Sequence, residues 1–527
     1  MFDVVIAGGT VIDGTSEPAV RTDVGITGEM IKAIGDLQDV HAKRIIDARG
    51  LVVSPGFVDT HTHAEGDLLT NPQHACGLRQ GITTEFLGID GMSYAPLSPQ
   101  NYKMYRHWLG GLLGEPPQDL DMSSVASFRA NYHKKCSVNT AYLVPHATVR
   151  LEVLGFRDVL LTADGLEQMK RLVREGMDQG AVGLSTGGSY YPGPWATTKE
   201  IAKLADVVKD AGKVYMAEPR RADLNRIHQR NGVEEAIEVS RRTGAKLHLA
   251  HFRTDPATAG KVEELMAPVD RAKRDGVDIS LDIYPYPTGA SIPVSLLPPW
   301  SQEGGPNETI RRLNDQQCLK KICEELEHES MVVSLQDMVF CHLPAYPNLD
   351  GATLPDLAAS RGKLLAETLC EVLVENDLKV GYMGAPPDST ALWRQVSHDS
   401  MSLLARDDYN VCSDITPAGS ACHPRCYGAF PRFLGRLRRQ FDFLSLESMV
   451  HRMTERPAKR FGLTKRGLIK KGYYADITIF EADKIMDNST YDDPRRFPSG
   501  IPFVLVNGEL AVDNEQCTGV LAGQAVP

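Results

Sequence analysis

Short apolar runs alternate with amphipathic stretches through the middle of the chain. The runs lie near 52–60, 82–88, 137–144, 180–185, 213–217, 245–251, 277–284 and 409–413, and helical patterns such as Leu166–Gln179 and Thr198–Ala211 separate them. Strands that alternate with helices in this way predict an α/β fold, a (β/α)8 TIM-like barrel, here at residues 54–460. The Pro-rich, charged stretch at about 286–380 is too long for a simple connection and predicts an insertion subdomain.

Both ends of the chain carry a different pattern, with short alternating strands and glycine turns. At the start the apolar runs are Val4–Ile6 and Val24–Ile34. The same pattern is found from residue 466 onward, in RGLIKKGYYADITIF and VLVNG. Such runs are typical of small antiparallel sheets. We therefore expect the two ends, residues 1–53 and 461–527, to form one small β-sandwich domain.

Length, net charge and cysteine content limit the classes of protein to which this chain can belong. The length of 527 residues suits one large catalytic domain with a smaller companion. The net charge of -11, without a basic face, argues against a nucleic-acid partner. Ten cysteines without a CxxC pair, a start without a basic leader and the lack of an 18-residue apolar run predict a cytoplasmic protein with no membrane partner. Self-association into a homo-oligomer stays open.

Three predicted strands end in residues that ligate metals. The first ends in His61 and His63 of an HxH pair, another ends in His251, and the last ends in Asp414. The carboxyl ends of barrel strands meet at one mouth, so these side chains can share a divalent cation. Imidazole and carboxylate ligands let such a cation lower the pKa of bound water, and Asp414 can move the proton. The alternative is that the histidines are satisfied in the core and the aspartate caps a turn.

An ordered series of motifs adds to this pattern. The segments VVSPGFVDTHTH (52–63) and SDITPAGSACHPRCYGAFPRFLGR (413–436) resemble the amidohydrolase superfamily and, more narrowly, the N-acyl-D-amino-acid deacylases, or D-aminoacylases. Further segments similar to the deacylases are GITTEFLGIDGMSYAPL (81–97), HATVRLEVLG (146–155), GAVGLSTGGSYYPG (180–193), VYMAEPRR (214–221), LAHFR (249–253) and DIYPYPTGAS (282–291). The resemblance implies metal-dependent hydrolysis of an amide.

The resemblance also implies a role for each ligand. His61 and His63 are expected to bind one metal position and His251 the other, with Asp414 as ligand and general acid/base. The implied cofactor is one or two divalent ions, with zinc expected first.

Two positions depart from the deacylase pattern. Asp90 stands where the family usually has a cysteine ligand, and Glu218 stands where it usually has a histidine ligand. Carboxylates are harder Lewis bases than thiolate or imidazole, so this site can also bind Mn²⁺ or Fe²⁺ besides zinc. The lysine that many relatives carboxylate is missing from 180–186. Glu85 is either a further ligand or substrate-amine contact, or a buried structural carboxylate.

The resemblance further implies a substrate that carries a carboxylate. Its expected contacts are Arg425, Tyr284, Arg253 and Ser291. Arg425 leads, because a guanidinium can hold a carboxylate through two parallel hydrogen bonds, although it can instead pair with a neighbouring acid. Two further candidates are Tyr191, for which packing is the alternative, and His146, for which core hydrogen bonding is the alternative.

The leading hypothesis is therefore deacylation of N-acyl-D-amino acids or of a similar small amide. The carboxylates at Asp90 and Glu218 raise two alternatives: a ring-opening hydrolase of cyclic amides or imides (or a non-hydrolytic relative), and an inactive scaffold. A panel of linear and cyclic substrates separates the first two hypotheses, and metal analysis of the purified protein tests the third.

Overall fold

The computed structural model describes residues 1–220, 226, 228–328 and 335–527. Arg221, which closes the VYMAEPRR motif, and residues 329–334 of the predicted insertion lie outside the described residues. Two large sheets and one small sheet organise the described chain. None of the described helices is long and apolar enough to cross a membrane.

Strands from both chain ends form one nine-stranded sheet. They are β1 (Phe2–Val11), β2 (Val20–Thr27), β3 (Met30–Gly35), β4 (Ala42–Asp47), β5 (Val52–Pro55), β17 (Ile477–Phe480), β18 (Phe503–Val506), β19 (Glu509–Asp513) and β20 (Gln516–Cys517). β5 joins the two halves, because it pairs in parallel with β1 and antiparallel with β17. Val24, Ile46 and Ile477 belong to a core separate from that of the barrel. The two chain ends thus share one sheet and one core, and the bounds 1–53 and 461–527 of the small β-sandwich domain stay a prediction.

Eight parallel strands form the barrel sheet. They are β6 (Phe57–Asp59), β7 (Ile82–Leu87), β8 (Asn139–Pro145), β9 (Gly183–Thr186), β10 (Val214–Ala217), β11 (Lys246–Leu249), β12 (Ile279–Ile283) and β16 (Tyr409–Val411). The first and last strands meet just beyond their ends, where Thr62 bridges to Ile415 and the Asp414 N–H donates to the His61 carbonyl at 2.9 Å. A short strand near the C-terminus, β21 (Ala525–Val526), adds to β8. The predicted (β/α)8 barrel is confirmed.

The apolar run predicted as one strand at 52–60 divides at Gly56. The residues before it belong to the end sheet, and those after it open the barrel. A side chain at Gly56 would place its Cβ 2.2 Å from Thr83 Oγ1, so only glycine fits between the two sheets. Continuous apolar character cannot reveal such a division, because both flanking strands are fully buried.

Helices connect the barrel strands. From the first strand to the seventh they are α1 (Glu65–Thr70), α2 (Ala75–Leu78), α3 (Pro99–Trp108), α4 (Gly110–Leu113), α5 (Val125–Tyr132), α6 (His146–Leu154), α7 (Ala163–Asp178), α8 (Thr198–Asp210), α9 (Gly232–Thr243) and α10 (Val262–Arg274). The side chains of Thr162 and Thr197 cap α7 and α8 and fix where the helices predicted at 166–179 and 198–211 begin. Short 3₁₀ helices lie at Gly193–Trp195, His228–Arg230, Pro293–Leu296 and Pro347–Leu349.

The insertion lies between β12 and the last barrel strand. Its helices are α11 (Pro299–Gln302), α12 (Pro306–Leu313), α13 (Gln316–Leu326), α14 (Leu354–Arg361) and α15 (Leu365–Glu375). Its antiparallel sheet has β15 (Gly381–Gly384) between β13 (Ala290–Ser291) and β14 (Met338–His342). The remaining helices are α16 (Thr390–Ala405), α17 (Arg425–Pro431), the π-helix Arg432–Leu437, α18 (Arg438–Phe441), α19 (Leu446–Met453) and α20 (Glu455–Arg460).

Candidate metal centre and substrate cleft

Five of the six predicted metal ligands converge at the carboxyl ends of the barrel strands. Asp90 Oδ2 lies 3.1 Å from His61 Nε2, 3.4 Å from His63 Nε2 and 3.8 Å from His251 Nε2. Asp414 Oδ1 lies 3.3 Å from His63 Nε2 and 3.7 Å from His61 Nε2. Side chains separated by more than 300 residues of sequence thus meet around one point, as the strand-end argument predicts.

Three of these ligands have a left-handed backbone that residues other than glycine rarely adopt. The φ angles are 53° at Asp90, 33° at His251 and 55° at Asp414. Such conformations cost roughly 1–3 kcal/mol each and persist where the surroundings hold them. Here the His61 carbonyl holds the Asp414 N–H at 2.9 Å, and Asp282 Oδ1 accepts the His251 N–H at 2.5 Å. Strain at three neighbouring predicted ligands makes this mouth of the barrel the candidate site.

The donor set fits a divalent cation. Two groups of donor atoms, His61 with Asp90 and His251, and His61 with His63 and Asp414, each lie within 4.8 Å of one another. The Oδ1 atoms of both aspartates are buried and accept no hydrogen bond from the described residues. Buried carboxylate oxygens without donors are costly unless a cation neutralises them. Imidazole and carboxylate donors suit zinc, manganese or iron.

Arg425 contacts the acid that is expected to move protons. Its Nη1 lies 2.6 Å from Asp414 Oδ2, and its side chain is 1% exposed. Burial would raise the pKa of Asp414, but the guanidinium beside it keeps that pKa well below the usual range. The Tyr284 ring lies between two guanidinium groups, 4.8 Å from that of Arg425 and 4.4 Å from that of Arg253. The pairing with a neighbouring acid, the alternative for Arg425, is therefore present.

Glu218, the sixth predicted ligand, follows β10 and lines the same mouth. Its Oε2 accepts the Gly188 N–H at 2.7 Å, and it belongs to neither group of close donor atoms. Burial and the nearby Asp90 raise its pKa to about 8. Glu218 therefore lies at the edge of the cluster, outside the two groups of close donor atoms.

A cleft of about 510 Å³ opens at the mouth. The predicted residues that line it are His63, Asp90, Glu218, His251, Tyr284, Ser291, Asp414 and Arg425. The lining residues that the sequence did not predict are Ser189, Tyr190, Gly289, Ala290, Ser295, Leu296, Asp337, Tyr382 and Gly384. Most of these come from the loop after β9 and from the insertion.

Tyr190 occupies the cleft where Tyr191 was predicted. The Tyr190 hydroxyl lies 2.9 Å from the Ser291 hydroxyl at the cleft wall. Tyr191 instead packs on Trp195, with ring centroids 4.9 Å apart. The sequence predicted Tyr191, but the pattern of two adjacent tyrosines does not show which of them lines the cleft.

Two other candidates lie behind the cleft wall. His146 Nε2 lies 3.0 Å from Glu200 Oε1, and Glu200 also pairs with Arg150, so His146 takes its alternative role of core hydrogen bonding. Arg253 donates to Tyr284 Oη at 2.6 Å and to two backbone carbonyls, and it does not line the described cleft. Its contribution is to hold the Tyr284 ring.

Glu85 on β7 points away from the cleft. The next residue, Phe86, packs in the barrel interior beside Val58, and successive residues of a strand face opposite sides. Glu85 Oε1 lies 2.8 Å from His74 Nε2, and His74 Nδ1 lies 2.7 Å from Asp67 Oδ2. The structure thus places Glu85 beside His74 and outside the described cleft lining, the position expected of a buried structural carboxylate.

Replacing Glu85 with glutamine should therefore reduce stability and spare catalysis. Losing the charge-assisted hydrogen bond to His74 should lower the free energy of unfolding by about 2 kcal/mol. Urea denaturation measures that loss, and kcat/KM of the folded variant should stay close to the parent value. A folded variant that loses its metal or most of its activity would show that Glu85 does take part in the site.

A buried acid below the metal ligands was missed by the sequence argument. Besides the His251 N–H, Asp282 accepts the Thr60 hydroxyl at 2.6 Å, and it lies 3.0 Å from His248 Nε2. Burial alone would raise the pKa of Asp282, but the adjacent His248 lowers it to about 2. The DIYPY motif contains this residue, although only its first tyrosine was assigned a role.

Asp59 closes the seam between the first and last barrel strands. Its Oδ1 accepts the His61 N–H at 3.2 Å and the Ser413 N–H at 2.9 Å. One carboxylate oxygen thus positions the backbone beside two ligand segments. The VDTHTH motif contains Asp59, but its pattern assigned a role only to the two histidines.

Comparisons with known proteins agree with this geometry. Residues 44–333 and 349–512 match the sequence model of the amidohydrolase family. Over 514 residues, 96% of this chain and 93% of the relative, the chain is 34% identical to N-acyl-D-glutamate deacylase of Alcaligenes xylosoxydans xylosoxydans. It is 30% identical to D-aminoacylase of the same organism over 536 residues, 100% of this chain and 97% of the relative.

A solved structure shows the same architecture. N-acyl-D-glutamate deacylase from Bordetella bronchiseptica, complexed with zinc and a phosphonate mimic of the tetrahedral intermediate, has a TM-score of 0.82 and 30% identity. The similarity covers 100% of this chain and 99% of that chain. The resemblance inferred from the motifs is confirmed. The chain belongs to the amidohydrolase family.

Proposed function

We propose that this protein is a metal-dependent hydrolase that removes the acyl group from N-acyl-D-amino acids. The observation that carries the proposal is the convergence of three imidazoles and two carboxylates beside Arg425 in one cleft. Relatives that cover almost the whole chain are an N-acyl-D-glutamate deacylase and a D-aminoacylase. The choice of D-amino acids comes from these relatives, and the choice of hydrolysis comes from the site.

We propose zinc as the resident ion, held by His61, His63, Asp90, His251 and Asp414. The Bordetella deacylase binds zinc, whereas the carboxylate of Asp90 also suits manganese or iron. When bound, the metal supplies a Lewis acid that polarises the amide carbonyl and lowers the pKa of water.

Asp414 is positioned to move the proton. Arg425 holds Asp414 Oδ2 at 2.6 Å, which leaves Oδ1 directed at the imidazoles and free of hydrogen bonds from the described residues. Oδ1 can accept the proton of the attacking water and return it to the amide nitrogen as the C–N bond breaks. The products are then a carboxylic acid and a free amine.

Arg425 also offers donors to the substrate. Its Nε has no partner in the described part of the chain, and its Nη2 makes only a long, 3.5 Å contact with the Ala290 carbonyl. We propose that these donors hold the substrate α-carboxylate, with the Tyr284 ring fixing the plane of the guanidinium. A carboxylate held in this way places the scissile amide beside Asp414.

A cytoplasmic location is part of the proposal. All ten cysteines are free, which agrees with a compartment that keeps thiols reduced.

A substrate panel tests the proposed activity. The metal-loaded protein should hydrolyse N-acetyl-D-glutamine with a kcat/KM about 100-fold or more above that for the L-enantiomer, because only one enantiomer can present both carboxylate and amide correctly. Release of acetate measures the reaction. Hydantoin and dihydrouracil serve as cyclic controls. Opening of a ring in preference to deacylation would replace this proposal with the ring-opening alternative.

A further inference from the structure

The insertion supplies one wall of the substrate cleft. Its small sheet places Ser291 of β13, Tyr382 and Gly384 of β15, and Asp337 just before β14 along that wall. β15 lies between the other two strands, so these residues are close neighbours. The predicted metal ligands His63, Asp90, His251 and Asp414 line the same cleft.

The charges on the cleft wall are unequal. Among the described lining residues there are four carboxylates, Asp90, Glu218, Asp337 and Asp414, and one guanidinium, Arg425. Asp414 pairs with Arg425, and Asp90 lies among the imidazoles. Asp337 is exposed and forms no ion pair with any described residue. Glu218 is half-buried and accepts the Gly188 N–H at 2.7 Å. Asp337 is therefore the exposed carboxylate among the described lining residues, and it remains available to a substrate.

Among the described residues that line the cleft, Arg425 is the one arginine or lysine, so a second acidic group on the substrate meets no further cation there. Arg425 is the donor proposed for the α-carboxylate, and Arg253 directs its Nη atoms at Tyr284 Oη and at backbone carbonyls. A carboxylate on the amino-acid side chain would face Asp337 and be repelled, whereas a cationic side chain would be attracted. The sequence holds two further cations whose side chains lie outside the described part of the chain, Arg221 and Arg230.

We propose that Asp337 is a specificity-determining residue that selects N-acyl-D-amino acids with a cationic side chain over neutral ones, and neutral ones over acidic ones. This inference rests on the proposed deacylase function. It separates this chain from its relative that acts on N-acyl-D-glutamate.

Three substrates measure the selection by charge. N-acetyl-D-glutamine and N-acetyl-D-glutamate have nearly the same size, so the ratio of their kcat/KM values reports charge alone, and N-acetyl-D-arginine reports attraction. With the metal-loaded full chain we expect kcat/KM to be about fivefold higher for N-acetyl-D-arginine than for N-acetyl-D-glutamine. We expect it to be about fivefold higher again for N-acetyl-D-glutamine than for N-acetyl-D-glutamate, which is the size of an exposed ion-pair effect. Both ratios should shrink in high salt.

Variants assign the effect to one side chain. Asp337→Asn should bring both ratios close to one, and Asp337→Lys should reverse the order of glutamine and glutamate. Glu324→Gln is the matched control, since it removes the same charge from an exposed position on α13 of the same insertion. The control should keep the parent ratios.

The outcomes distinguish the two proposals. If the parent enzyme favours glutamate over glutamine, or if Asp337→Asn leaves the ratios unchanged, the specificity proposal is overturned and the deacylase function stands. If none of the three N-acyl-D-amino acids is hydrolysed, both proposals are overturned. The expected order of substrates, together with its loss in Asp337→Asn, supports both.

Discussion

Asp414→Asn should lower kcat by about 10³- to 10⁴-fold, which is the upper part of the range for general acid–base catalysis. The asparagine keeps the size of the side chain and the carbonyl oxygen, but it cannot take a proton from water. It also removes the charge that Arg425 Nη1 contacts at 2.6 Å. Steady-state turnover of N-acetyl-D-glutamine measures the effect, with circular dichroism to show that the variant folds.

A matched control lies on the same segment of chain. Asp407 precedes β16 at the opposite end of the barrel, and its side chain is fully exposed. Asp407→Asn should keep the parent kcat. If Asp414→Asn also keeps its turnover while folded, Asp414 does not move the proton and the proposed mechanism is wrong.

Asp90→Asn should weaken metal binding by at least about 100-fold, since changes to residues that merely support ligands already cost 10- to 100-fold. Asp90 Oδ2 is the atom that approaches all three imidazoles, at 3.1, 3.4 and 3.8 Å. An amide cannot supply the negative charge that balances a cation at this point. Competition with a chromogenic chelator measures the affinity.

Two further variants separate charge from position. Asp90→Cys restores an anionic donor and should bind Co²⁺ with a thiolate charge-transfer band. Glu218→Gln should lose less affinity than Asp90→Asn, because Glu218 lies outside both groups of close donor atoms. Equal losses in Asp90→Asn and Glu218→Gln would instead make Glu218 a full ligand, as the sequence alone suggested.

The convergence of the candidate ligands could be predicted because their position depends on topology. His61, His63, His251 and Asp414 each follow the end of a barrel strand, and in a closed parallel barrel all such ends meet. Apolar periodicity locates the strands, and the barrel then brings the ligands together. Nothing about individual side-chain contacts was needed for this step.

Which other side chains line the cleft depends on geometry that the hydrophobic periodicity does not predict. Glu85 lies one residue away from an inward position, and a shift of one residue reverses the face of a strand. The same one-residue uncertainty separates Tyr190 from Tyr191 in the loop after β9. Asp337 and Tyr382 reach the cleft through a small sheet of the insertion, whose pairing with the mouth has no local signal in the sequence.

Anomalous X-ray scattering from crystals of the active, metal-loaded protein tests the central claim most directly. We predict a peak about 2.0–2.2 Å from imidazole Nε2 atoms of His61, His63 or His251 and from carboxylate oxygens of Asp90 or Asp414. Fluorescence at the absorption edge identifies the element. An active crystal whose only metal peak lies away from these five side chains would contradict the account.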